Sequence, residues 1–129
     1  MKRVLIVDDE AEIVELVSMV LEDDNISLFA AYDGEEALHI VHAERPHLVL
    51  SDIMMPRLDG RELCKRIRSD PATSNTIIIL MSAVHRLDAA DCGADELIRK
   101  PFDILSVTQI VNRFLEQAVE PDMSSSPCT

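Results

Sequence analysis

Tryptophan is absent from this chain, and tyrosine and phenylalanine occur once and three times. Any core must therefore be mainly aliphatic. Cysteine is sparse and odd in number. Cys64, Cys92 and Cys128 are widely spaced and match neither a disulfide framework nor a zinc site, which reads as reduced thiols in the cytoplasm. Basic residues are outnumbered, 12 against 24 acidic ones, for a net charge of −12. Nonspecific nucleic-acid binding needs basic surface to neutralise phosphates, so no nucleic-acid partner is expected. No apolar run approaches the length of a membrane span, and the N-terminus enters a strand without a secretory core, so no membrane association is expected. What remains is ordinary for one soluble domain: 129 residues, 47% apolar and 28% charged.

Four short apolar runs each end on a chemically useful residue. Val4-Leu5-Ile6-Val7 runs into Asp8-Asp9, and Leu48-Val49-Leu50 runs through Ser51 into Asp52. Ile77 to Met81 ends on Ser82, and Leu97-Ile98 leads through Arg99 to Lys100-Pro101. Such runs read as strands buried on both faces of a parallel sheet. Ligands of open α/β sheets bind beyond the carboxyl ends of the strands. Three carboxylates, a hydroxyl and an ammonium are thus expected to converge at one edge.

Between the runs the text is helical. Residues 9 to 23 carry Ile13, Leu16, Val17, Val20 and Leu21 at helical spacing, read as one inward stripe. Ile26 to Ala31 is a second strand, ended by Asp33-Gly34. A helix over Glu35 to Ala43 follows, with Ala37, Leu38 and Val41 inward and Pro46 as its stop. A third helix spans about Leu58 to Arg68, and a short one lies near Leu87 to Cys92. A last helix from Asp103 to Ala118 puts Ile104, Val107, Val111, Phe114, Leu115 and Ala118 inward, leaving Leu105 and Ile110 off the stripe. Strands alternating with helices imply βαβ units with right-handed crossovers. From Val119 the chain has no apolar period and reads as a flexible polar tail, residues 119–129.

The motifs Val7-Asp8-Asp9-Glu10, Asp52-Ile53-Met54-Met55-Pro56-Arg57-Leu58-Asp59-Gly60, Met81-Ser82-Ala83, and Gly93-Ala94-Asp95 before Lys100-Pro101-Phe102 stand in order at strand ends. Together they resemble the receiver domain of bacterial two-component response regulators, over about residues 2–118. The resemblance implies a flavodoxin-like doubly wound (βα)5 fold with a five-stranded parallel sheet in the order 2-1-3-4-5. It also implies a domain at residues 1–118 that signals rather than turning over a substrate. It implies that Asp52 accepts a phosphoryl group, that Asp8 and Asp9 hold Mg²⁺ together with Asp52 and the Met54 backbone carbonyl, and that Ser82 and Lys100 contact the phosphoryl oxygens. A cis Lys100-Pro101 bond is implied as well. The implied partners are a sensor histidine kinase or phosphotransfer protein and a downstream protein. Leftover apolar surface on the last helix suits a partner or a weak homodimer.

Blander readings stand beside these. Asp52 could be an acid in a polar loop, Asp9 an N-cap of the first helix, and Ser82 the cap of the helix that follows it. Two departures from the family bear on switching. Leu97 replaces the Tyr or Phe common three residues before the lysine, and the interval from Ser82 to Gly93 shortens the fourth helix. Apolar Met54 and Val84 stand where the family influences attack of water on the acyl phosphate, which implies a long-lived phosphoryl state. The rival function is a receiver-like interaction module that no longer switches. A phosphatase with an aspartyl nucleophile would want an acid at position 54, where methionine stands. His39, His42, His47 and His85 share no ligand spacing, and His39 with His42 reads as a solvated helix face.

Overall fold

The computed structural model describes residues 2–55, 57–82, 92–100 and 103–118. Five strands form one parallel sheet: β1 (Lys2–Val7), β2 (Ile26–Ala31), β3 (Leu48–Asp52), β4 (Ile77–Ser82) and β5 (Glu96–Arg99). Their spatial order is β2-β1-β3-β4-β5. Helices α1 (Ala11–Leu21), α2 (Gly34–Glu44), α3 (Gly60–Ser69) and α4 (Ile104–Gln117) cover both faces. The chain therefore has the flavodoxin-like doubly wound architecture. The short helix expected near Leu87 to Cys92, Ala83, Val84, His85, the Lys100-Pro101 bond and the tail at 119–129 lie outside the described residues or run into them. Among the described residues no helix is long and apolar enough to cross a membrane.

Strand alternation splits the core in two. Leu5, Val7, Val49, Ile78 and Leu80 point to one side, where Ala37 and Val41 of α2 and Leu63 and Ile67 of α3 cover them. Val4, Ile6, Leu48, Leu50, Ile79 and Met81 point to the other, under Val14, Val17 and Leu21 of α1 and Val107, Val111 and Leu115 of α4. Each of these large aliphatic side chains contributes about 1.5–3 kcal/mol by leaving water. This is why the central strands are continuously apolar over residues 4–7, 48–50 and 77–81.

The α1 stripe differs from the sequence expectation. Val14 is buried, whereas Leu16 and Val20 are 44% and 37% exposed. The apolar text of α1 is wider than the face that meets the sheet, and only the Val14, Val17 and Leu21 row fits beneath it. In α4, Leu105 lies off the stripe as expected, but Ile110 packs partly against the core.

Side-chain caps set where three helices begin. Asp33 accepts from the Glu36 N–H at 2.8 Å, Asp59 from Glu62 at 2.9 Å and Asp103 from Leu105 at 3.1 Å. α2 ends where Arg45 takes a left-handed conformation (φ 49°) immediately before Pro46.

Candidate functional site

Sheet register brings the site together. Val7 pairs with Ser51, Asp52 with Met81, and Ser82 with Arg99. Asp8, Asp52, Ser82 and Lys100 consequently leave four adjacent strands at the same edge. A slip in any one pair would remove its residue from the row.

The two residues of the acidic pair have different surroundings. Asp8 is fully buried, and its Oδ1 accepts from the Glu10 N–H at 2.9 Å. Asp9 and Glu10 are exposed. Glu10, not Asp9, is the N-cap residue of α1, and its side chain makes no capping bond. Carboxylate oxygens of Asp8, Asp9 and Glu10 all lie within 4.8 Å of one another. Three hard oxygen donors so close repel one another unless a cation lies among them, and such a donor set fits Mg²⁺. Glu10 had no assigned role in the sequence. The only hint was a third acid directly following the pair, on the side of the turn that leads into the helix.

Asp52 is 5% exposed at the end of β3. The Lys100 ammonium reaches across from β5 to within 3.1 Å of Asp52 Oδ1 and 3.5 Å of Asp8 Oδ2. The Lys100 backbone N–H donates to the Ser82 carbonyl at 2.7 Å, and Ser82 itself is fully buried. Beyond Asp52 the chain is pinned twice: Ile53 N–H donates to Met81 O at 3.0 Å, and Gly60 N–H to Ile53 O at 2.9 Å. Between these anchors Met54 projects outward, 66% exposed, while Met55 is buried. Leu97, in β5, packs half-buried against the core under α2 and α3.

Electrostatics follow from burial. Desolvation raises the Asp8 carboxyl, and nearby Asp52 adds to the rise, while the Glu10 N–H and Lys100 oppose it. Desolvation likewise raises Asp52 against the hydrogen bond and charge of Lys100. Burial works to lower Lys100, but its contacts with Asp52 and then Asp8 outweigh that and raise it. The ammonium is thus held firmly charged, while each carboxylate keeps its charge at a cost. An edge with buried carboxylates and one cation is suited to binding a divalent ion and a phosphoryl group.

His39 and His42 are exposed on α2, as read. His47 is buried, and its Nδ1 accepts from the Arg3 N–H at 2.9 Å. This is a structural role far from the edge.

A model of the response regulator receiver domain matches residues 4–112. A probable transcriptional regulator, ycf27, of Guillardia theta is 42% identical over 105 residues, which are 78% of this chain and 40% of that protein. The chain spans about half the length of the curated relatives it matches. Among solved structures, the receiver domain of the Francisella response regulator 1452 aligns at TM-score 0.82 and 30% identity, covering 91% of this chain and 98% of that one. The receiver domain of a histidine kinase from Syntrophus aciditrophicus aligns at TM-score 0.86 and 26% identity, covering 98% and 99%. Fold, motif order and these similarities agree: the chain belongs to the response regulator receiver domain family, a family of signalling domains rather than turnover enzymes.

Proposed function

We propose that Asp52 is phosphorylated in an Mg²⁺-dependent reaction, by a sensor histidine kinase or a phosphotransfer protein, and that this changes how a downstream protein is bound. The observation that carries the reading is the Lys100 ammonium standing between the Asp52 and Asp8 carboxylates at the strand ends. An Asp52 oxygen attacks phosphorus and the donor's bond to phosphorus breaks, leaving an acyl phosphate. Lys100 offers its charge to the phosphoryl oxygens in place of Asp52, and the Ser82 hydroxyl donates to one of them. Asp8, Asp9, Asp52 and the Met54 carbonyl would hold Mg²⁺, with Glu10 at the rim of the cluster. The ion, when bound, offsets the charge that phosphoryl transfer concentrates.

Read-out is proposed to run through the joined ends of β4 and β5. Lys100 is tied to Ser82 by a 2.7 Å backbone bond, so displacement of one moves the other. Leu97 has no ring edge or hydroxyl to relocate, so the aromatic part of the usual switch has no counterpart here. The same leucine favours the second reading, an interaction module whose binding does not depend on phosphorylation. We assign the receiver to residues 1–118 and leave the polar residues 119–129 outside it. Exposed Leu105 on α4 is the apolar surface offered to a partner or a weak homodimer.

The deciding experiment is intact-protein mass after incubation with acetyl phosphate and Mg²⁺. One added phosphoryl group, absent in Asp52→Asn and after chelation, supports the switch. A folded protein that takes no phosphoryl group in Mg²⁺ supports the constitutive module.

A further inference from the structure

Away from the strand-end site, two of the three cysteines meet. Cys64 lies on the inner side of α3, fully buried, and Cys92 precedes β5 at 6% exposure. The Cys64 Sγ donates to the Cys92 carbonyl oxygen at 3.1 Å, across 28 residues of chain. Both sides of the contact are anchored. Arg68, one turn beyond Cys64 on α3, donates from Nε to the Gly93 carbonyl at 2.9 Å and from Nη2 to Asp95 at 2.7 Å. Asp95 Oδ2 in turn accepts from the Ile78 N–H at 2.8 Å, and the Asp95 N–H donates to Ile78 O at 2.8 Å. The Cys64 thiol and the Cys92 backbone are therefore held together by a framework that does not depend on the sulfurs. Neither forms a disulfide in this structure.

We propose that Cys64 and Cys92 are a redox-sensitive pair that closes to an intramolecular disulfide on exposure to a hydroperoxide. The bond would tie α3 to the segment leading into β5 and Lys100. Cys92 is the less deeply buried residue of the two and reacts first. Its sulfur attacks the peroxide, an S–O bond forms as the O–O bond breaks, and the thiol proton leaves with the departing hydroxide as water. The Cys64 sulfur then attacks the Cys92 sulfur. The S–S bond forms, the S–O bond breaks, and the second hydroxide takes the Cys64 proton. Both sulfurs are oxidised, and one hydroperoxide is reduced to water and water (or alcohol). Burial, and then the neighbouring Cys92 thiol, push Cys64 up to about 12. Attack by the Cys64 sulfur accordingly quickens as pH rises.

The test uses the full chain, folded and reduced, treated with hydrogen peroxide, quenched with catalase and alkylated in denaturant without reductant. The expected result is a mass lower by two hydrogens, joint loss of Cys64 and Cys92 from the alkylated set, and one cross-linked peptide pair released by dithiothreitol. Cys128 stays alkylatable, and Cys128→Ser closes at the same rate. A Cys64→Ala variant, shown to be folded by circular dichroism, should stop at a Cys92 sulfenic acid that dimedone traps. A cross-link to Cys128 or to a second chain overturns the proposal. So does oxidised protein in which Cys64 remains fully alkylatable, or a folded Cys64→Ala that gives no dimedone adduct.

Discussion

The Lys100 ammonium lies 3.1 Å from Asp52 Oδ1, yet Asp52 still holds its proton more tightly than an ordinary carboxyl, because burial outweighs the cation. The sign of the stability effect follows. The unfolded chain releases this proton near the usual 3.8, whereas the folded protein retains it to a higher pH. Between those values the native state binds more protons, so stability falls as pH rises through that window and stays reduced above it. In metal-free buffer, Asp52→Asn should be more stable than the parent at neutral pH, by on the order of 1 kcal/mol. The gap should close as pH falls toward 3.8. Urea unfolding at several pH values measures it, and a gap independent of pH would contradict the desolvation account.

Divalent cation should act in the same direction. Asp8, Asp9 and Glu10 bring their oxygens within 4.8 Å of one another, and binding to the native state alone raises its stability by mass action. At a hundredfold excess over Kd the gain is about 2.7 kcal/mol. Thermal unfolding should shift upward with Mg²⁺, lose most of that shift in Asp9→Asn, and lose less in Glu10→Gln. An equal shift in all three proteins would place the ion elsewhere.

Two valines of α1 separate what burial does from what composition suggests. Val14 is 2% exposed and Val20 37%. Val14→Ala should cost about 1–3 kcal/mol through lost transfer energy and a residual cavity. Val20→Ala should stay within about 0.5 kcal/mol, as surface substitutions do. The comparison is read from paired denaturation curves, and equal losses would mean that α1 is rotated from the orientation described.

The same helix marks where sequence reading stops working. The strands were legible because Val4-Leu5-Ile6-Val7 and Ile77 to Met81 are apolar at every position, which only a sheet covered on both faces explains. The site followed from them, since Asp8, Asp52, Ser82 and Lys100 are fixed by strand ends and register rather than by side-chain detail. In α1, Ile13, Val14, Leu16, Val17, Met19, Val20 and Leu21 supply more apolar positions than one face can use. Periodicity alone does not choose among them; the contact with α4 and the sheet does. Asp8 and Asp9 pose a similar problem. They are identical in the text, and only the turn back to the Glu10 N–H buries one and exposes the other. The meeting of Cys64 and Cys92 depends on packing α3 against a distant loop, and neither spacing nor composition contains it.

Gly60 tests how tightly the site is built. A Cβ there would collide with the backbone oxygen of Asp52 and with Ile53, while the Gly60 N–H holds the Ile53 carbonyl at 2.9 Å. Gly60→Ala must push the Asp52 end of β3 away or break that bond. A loss of about 1–3 kcal/mol is expected, the usual cost of overpacking. Acetyl phosphate labelling of the folded variant should slow at least severalfold, because small misplacements of a reacting group are costly. Labelling at the parent rate would show that the edge tolerates the shift.

On the proposed function, Met54 stands where it would govern loss of the phosphoryl group from Asp52. Its side chain is 66% exposed, beside Asp52 on a loop anchored at Ile53 and Gly60, so it can cover the acyl phosphate without disturbing the core. A thioether neither orients nor deprotonates a water. Met54→Asn puts an amide at that position, able to hold a water by hydrogen bonds, while leaving Lys100, Ser82 and the acidic residues in place. Phosphoryl loss should then quicken by roughly tenfold, less than the hundredfold or more of a positioned acid or base, because an amide orients a water without taking its proton. Decay of the phosphorylated mass after removal of acetyl phosphate measures it, in excess Mg²⁺ so that ion occupancy is equal. If decay is already fast in the parent and unchanged by the substitution, water reaches phosphorus by a path that Met54 does not guard.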